Sequence, residues 1–277
     1  MKKLFAAIAA ALLLLSCAAC GGSSEAAVSD VSISEKAWNF VIQTTTYLDE
    51  RKTADGAELC TGHYEHPTLI LLDDGGNPYS GTGAPPTEAQ LAACRVFNER
   101  FEEGQYTDSF RDLLESAQAA LSFGYAESSL PYTESQNVTS VYQTAGMVSV
   151  EYDFYSYTGG AHGYGYRDAV NFDLERGAFF DWTELTDRPD DLRARLGDAV
   201  VESIQRDGMD ASLFADYEAS ARALEYARVA FDAEGVSVTF GESVLGPHAA
   251  GWPNFHVEYE TFDDLLNARG ARLLARG

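Results

Sequence analysis

The chain has 277 residues, with 43 acidic side chains against 19 basic ones and a formal charge of -24 at pH 7. Phosphate contacts need a basic face, so this balance argues against a nucleic-acid partner, whereas it would attract metal ions and cationic proteins over long range. Aromatic residues make up 12% of the chain and fall in alternating runs, which excludes a disordered tether.

At the start, Lys2 and Lys3 precede an apolar run from Ala6 to Leu15 that ends in Ser16-Cys17-Ala18-Ala19-Cys20-Gly21-Gly22. A basic start, a short apolar stretch and small residues form an export signal, and the stretch is too short to cross a bilayer. Small residues followed by cysteine resemble a bacterial lipoprotein processing site. Residues 1–20 are therefore expected to be a lipoprotein signal, with Cys20 lipidated. Cys17, with Leu14 and Ser16 before it, is the alternative, and a plain secretory signal cut near Ala19 is a third reading. Cleavage would remove two lysines and no acid, moving the charge from -24 to -26. Two or more acyl chains on one cysteine make a stable anchor, so an extracytoplasmic protein held on a bacterial membrane is expected.

Residues 21–35 are small and polar and read as a flexible linker. From Trp38, the alternation Trp38, Phe40, Ile42, Thr44 predicts a strand, and a turn at Thr53-Ala54-Asp55-Gly56 leads into a second strand through Leu59 and Thr61. Asp73 to Pro78 and Gly81 to Pro86 read as loops. Thr87 and Gln90 have the spacing of a capping box for a helix carrying Leu91, Val96 and Phe97. A second helix from about Asp108 puts Phe110, Leu113, Leu114, Ala117 and Leu121 on one face.

After Pro131 the period changes to two. Val138, Ser140 and Tyr142 alternate, and Ala145-Gly146 turns into a strand with Val148, Val150, Tyr152 and Phe154 on one face and Ser149, Glu151, Asp153 and Tyr155 on the other. Another strand through Val170, Phe172 and Leu174 completes a meander. Pro189 suits the first turn of a helix carrying Leu192, Leu196, Val200 and Ile204. A further helix is expected to gather Leu213, Phe214, Tyr217, Ala221 and Leu224. Strands follow at Ala227 to Phe231, Val236 to Phe240 and Phe255 to Tyr259, and Thr261 with Asp264 is expected to cap a short terminal helix. Runs of strands and runs of helices without regular alternation predict an α+β fold, an antiparallel meander with helices packed on it. Two intimate modules are expected, at 36–130 and 131–268, with a tail at 269–277.

Tyr155-Ser156-Tyr157-Thr158-Gly159-Gly160-Ala161-His162-Gly163, then Asn171-Phe172-Asp173-Leu174 and Phe180-Asp181-Trp182-Thr183-Glu184-Leu185, resemble a bacterial envelope family. This is the domain of unknown function that forms the extracellular part of the lysozyme-sensing anti-sigma factor RsiV and precedes the catalytic domain of some peptidoglycan deacetylases. Gly246-Pro247-His248-Ala249-Ala250-Gly251, with Val257 and Tyr259, looks like the family's closing loop and strand, and Trp38 to Leu121 is similar to the module that usually comes first. The sigma-binding segment, spanning helix and catalytic domain of those relatives are not seen in this sequence. The resemblance therefore implies a binding module alone, whose partner in the sensor is lysozyme.

The loop at Gly159, Gly160 and His162, with Tyr157, Tyr164 and Tyr166, is the candidate ligand site: glycines allow close backbone approach, and tyrosines suit sugar stacking or protein contact. A turn with a structurally bonded histidine is the competing reading. His63 and His66 would face opposite sides of an extended segment, so no metal site is expected there. Asp73 and Asp74 read as a solvated turn, since the spaced ligands of a calcium loop are missing. Thr261-Phe262-Asp263-Asp264 is similar to a deacetylase metal motif but has Leu265 where that motif has glycine. Cys60 and Cys94 are a disulfide or two buried thiols. No catalytic residue, metal or cofactor is assigned. The function expected is a surface-anchored lipoprotein binding a cell-wall (peptidoglycan) fragment or a cationic wall-degrading protein such as lysozyme. A hydrolase or deacetylase accessory and an assembly scaffold are the alternatives.

Overall fold

The computed structural model describes residues 28–30, 40–73, 75–81, 85–124 and 130–276. Cys17, Cys20, Trp38 and Asp74 lie outside them, as does the segment expected to be an export signal.

Seven strands form one sheet in chain order: β1 (Val28–Asp30), β2 (Phe40–Lys52), β3 (Glu58–Leu71), β4 (Tyr132–Gln143), β5 (Met147–Tyr157), β6 (Tyr164–Asp173) and β7 (Ala178–Phe179). Three residues of the expected linker are thus an edge strand, with Ser29 opposite Thr44. β2 and β3 form a long hairpin whose turn is closed by the Thr53 N–H on the Ala57 carbonyl and by Gly56 at φ +90°. β3 and β4 are parallel over five residue pairs, Cys60 opposite Tyr132 through Tyr64 opposite Gln136. Pro67, which lacks the N–H a central strand needs, sits just beyond that stretch.

The predicted meander β4–β5–β6 is antiparallel throughout, with a bulge between Val138 and Ser140. The Val138 N–H at the bulge is taken by Glu65 Oε2 at 2.7 Å. Helix α1 (Glu88–Arg100) starts on the expected capping box of Thr87 and Gln90, and α2 runs over Glu103–Ser122, one turn earlier than the pattern suggested. Phe97 and Ala93 of α1 are buried with Phe40, Ile42, Leu69, Val148, Val150 and Phe172, while Leu91 is exposed. Phe110, Leu113 and Ala117 of α2 are buried with Leu59, Cys60, Tyr64 and Tyr132. One core therefore contains residues from both sides of position 131, and the sheet passes through the expected module boundary without a break.

A second sheet has the order β10–β9–β8, from β8 (Ala227–Phe231), β9 (Gly235–Phe240) and β10 (Asn254–Glu258). It is covered by α3 (Pro189–Arg206), whose Leu192, Leu196, Val200 and Ile204 are buried as the 3.6-residue period requires. The outer edge of β8 meets the large sheet. There Asn171 Nδ2 donates to the Val229 carbonyl at 2.9 Å and the Phe231 N–H donates to Ser149 Oγ at 2.9 Å. Ser149 and Glu151, polar residues in a strand, are consequently buried, and Glu151 accepts from Thr139 and Thr239.

Three expectations near the end of the chain are corrected. Only Tyr217–Ala223 forms helix α4, and Phe214 is exposed because the backbone before it is a short 3-10 turn at Asp210–Ser212. Thr261 and Asp264 do not cap the terminal helix α5 (Ala268–Leu273). Asn267 does, accepting from the Gly270 N–H, while Asp264 and the Thr261 carbonyl bind Arg195. The expected tail is core: Leu273 and Leu274 are buried, and Arg269 pairs with Asp173 at 2.9 Å.

Candidate functional site

Pleating decides which of the loop's tyrosines act together. Across β5 and β6, Phe154 is opposite Tyr166 and Ser156 is opposite Tyr164, so these share one face, whereas Tyr155 and Gly165 share the other. Phe154 and Tyr166 stack with ring centres 5.1 Å apart, and Tyr164 follows at 6.2 Å from Tyr166. Tyr164 is 64% exposed and Tyr166 37%. Together they make an aromatic shelf on the sheet. Tyr157 is not part of it, because its hydroxyl donates to the Gly160 carbonyl at 3.0 Å and pins its own loop.

The shelf opens onto a cleft of about 150 Å³ lined by Tyr64, His66, Arg100, Gln136, Tyr152 and Tyr166, among others. Two of its lining residues, Arg100 and Tyr152, belong to a hydrogen-bonded chain that runs on to Asp168. Arg100 Nη2 donates to the Tyr152 hydroxyl at 2.7 Å, and that hydroxyl donates to Asp168 Oδ2 at 2.9 Å. Arg228 holds the other oxygen of Asp168 at 2.8 Å. Burial, with Asp168 alongside, pushes the Tyr152 phenol upward, so it stays a neutral donor. Tyr64 donates to Glu134 at 2.8 Å, and burial raises the Glu134 carboxyl above its ordinary value. His66 has a buried Nε2 with no hydrogen-bond partner, and burial lowers its imidazole to about 4. His63, three residues back on the strand, lies in a different recess with Leu48 and Thr133, as an extended segment demands.

Gly159 and Gly160 of the predicted site have φ of +92° and +94°, which a side chain resists. Gly165, on β6 and not among the predicted residues, is needed for a different reason: Trp252 Cζ2 is 2.6 Å from where a Cβ would stand. His162 itself points to the other loop that carried the family resemblance. Its ring centre is 4.8 Å from that of His248. The structure thus separates the six candidates into an exposed shelf (Tyr164, Tyr166), a pinned turn (Tyr157, Gly159, Gly160) and a histidine pair.

Sequence reasoning missed Arg100, Tyr152, His66 and Phe154 as cleft residues, because they converge only through the parallel β3–β4 junction and the corner after α1. The one available signal was Tyr152 and Phe154 continuing the apolar face of β5 beyond the length one helix covers.

Cys60 and Cys94 are free thiols, raised by burial to about 11 and about 12. Asp73 Oδ1 accepts the N–H groups of Gly75 and Asn77, closing a turn. Among the described residues no group of three or more His, Cys, Asp or Glu side chains is arranged to hold a metal ion, and no helix is long and apolar enough to cross a membrane.

A member of the DUF3298 family from Bacteroides fragilis is similar over 88% of this chain and 100% of its own, with a TM-score of 0.56 and 13% identity. The chain shares its fold with that DUF3298 protein. A second DUF3298 protein, from Pseudomonas aeruginosa, aligns over 82% of this chain and 94% of its own with 16% identity and a TM-score of 0.45. No family model and no curated protein matches the sequence. The likeness to the Bacteroides fragilis DUF3298 protein supports a domain-of-unknown-function fold, and at 13% identity it carries fold alone.

Proposed function

We propose that this chain is an exported lipoprotein, anchored through Cys20, that binds a cell-wall glycan fragment without turning it over. The observation that carries the reading is the Tyr164–Tyr166–Phe154 shelf opening directly onto the Arg100–Tyr152 cleft. Exposed rings take the C–H faces of sugars, and a guanidinium, a carboxamide and an imidazole at the end of the shelf suit amide, hydroxyl and carboxylate groups. A wall fragment combines these chemistries. The export signal would place the protein where such fragments occur.

A cationic partner such as lysozyme is the second reading, favoured by the formal charge of -24 and by the resemblance to the extracellular domain of RsiV. Calorimetric titration of the chain with muropeptides and with lysozyme, at low and raised salt, separates the two. The expected result is saturable muropeptide binding, weakened at least tenfold in Tyr164→Ala/Tyr166→Ala. Lysozyme binding that fades with salt and ignores the tyrosines would replace it with the second reading. Release of reducing sugar or acetate from wall material would overturn a purely binding role.

A further inference from the structure

The two loops that approach each other beyond β5 and β9 bring together His162 and His248, 86 positions apart in the chain. Each imidazole has one nitrogen already engaged. His162 Nδ1 is 3.1 Å from the Gly163 carbonyl, and His248 Nδ1 is 2.9 Å from Glu242 Oε2. A carbonyl oxygen only accepts, so His162 Nδ1 carries the proton and Nε2 carries a lone pair. The carboxylate of Glu242 fixes the same tautomer on His248 when that ring is neutral. An Nδ1–H held by a carbonyl or carboxylate, with Nε2 left as the donor atom, is the arrangement that orients metal-binding histidines.

The spacing agrees with a shared ion. With a metal about 2 Å from a ring nitrogen, the metal lies roughly 3 Å from the ring centre, so two imidazoles at right-angled to tetrahedral positions have centres on the order of 4.5–5 Å apart. The rings of His162 and His248 are 4.8 Å apart, inclined at 42°. Both are exposed, so an ion and its waters have access. The loops are shaped by glycines with positive φ, Gly159 and Gly160 before His162 and Gly251 after His248, so their course does not depend on the histidine contact.

We propose that His162 and His248 form a two-imidazole site for a divalent transition metal of the Cu²⁺, Ni²⁺ or Zn²⁺ class, with water completing the coordination. Imidazole suits these ions, while calcium and magnesium require oxygen donors. With only two protein ligands the site is open, and a bound ion joins the His162 loop to the loop after β9. It uses neither the aromatic shelf nor the cleft, so it stands or falls independently of glycan binding.

The test is titration of the full chain with Cu²⁺, followed by calorimetry and electron paramagnetic resonance. One equivalent is expected to bind with hyperfine structure from two imidazole nitrogens. His162→Ala and His248→Ala should each leave one nitrogen and weaken binding at least tenfold. Glu242→Ala, which frees the His248 tautomer, should weaken it about tenfold or more, in the range typical of lost outer-shell partners. His256→Ala, remote on β10 and paired with Asp232, is the control and should change nothing. Near-ultraviolet circular dichroism confirms that each variant is folded. Absence of binding, or binding unaltered in the folded His162 and His248 variants, would overturn the proposal.

Discussion

At the scale of single residues, His66 shows how one buried group controls a response to acid. Its ring lies edge-on to Tyr47 and Phe101, with centres 6.3 and 6.4 Å away, and burial holds it neutral down to about pH 4. An unfolded histidine takes up its proton near pH 6.5. Between those values the unfolded chain binds the extra proton, so the stability contributed by neutral His66 is complete above about 6.5 and is lost as pH falls toward 4. The loss is expected to be on the order of 2–3 kcal/mol. Urea denaturation of the chain and of His66→Phe at pH 7.5 and 4.5 measures it, and the variant should show a smaller drop by that amount. The sequence showed that His66 and His63 oppose each other on a strand. It did not show which of them is buried, because that depends on α1 ending beside β3.

At the scale of elements, most of the pattern was legible. The meander, α3 and the capping box of α1 follow from period and spacing, since their neighbours in space are neighbours in sequence. The polar residues of β5 and β6 were misleading in isolation: Ser149 and Asn171 alternate with apolar residues as solvent-facing positions do, yet they satisfy the edge of β8, a strand roughly 60 to 80 residues further on. Buried backbone groups must find partners, and here two side chains supply them. Asn171→Ala leaves the Val229 carbonyl unpaired in the interior, and a loss of about 1–3 kcal/mol in unfolding free energy is expected. Asn171→Asp should not rescue it, because a carboxylate has no proton to donate to a carbonyl.

At the scale of the whole molecule, the expected tail is part of the structure's closure. Thr144, in the turn between β4 and β5, donates to the Leu273 carbonyl, and Arg269 reaches Asp173, which is 1% exposed and also caps the β6–β7 turn through Glu175 and Arg176. Removing one partner of a buried ion pair strands the other, so Arg269→Met is expected to cost roughly 3–5 kcal/mol. Thermal unfolding checks this, and Asp173→Asn/Arg269→Met should recover part of the loss by removing the stranded charge.

The parallel pairing of β3 with β4 has a kinetic consequence. The β2–β3 hairpin and the β4–β6 meander each assemble from nearby residues, but Tyr64 meets Gln136 only after both intervening helices have been brought across. Closing so long a loop has an entropic cost that must be met before the pairing contributes. The two halves are thus expected to acquire their turns early and to join late, with the cleft, whose walls come from both halves, forming at the last step of folding.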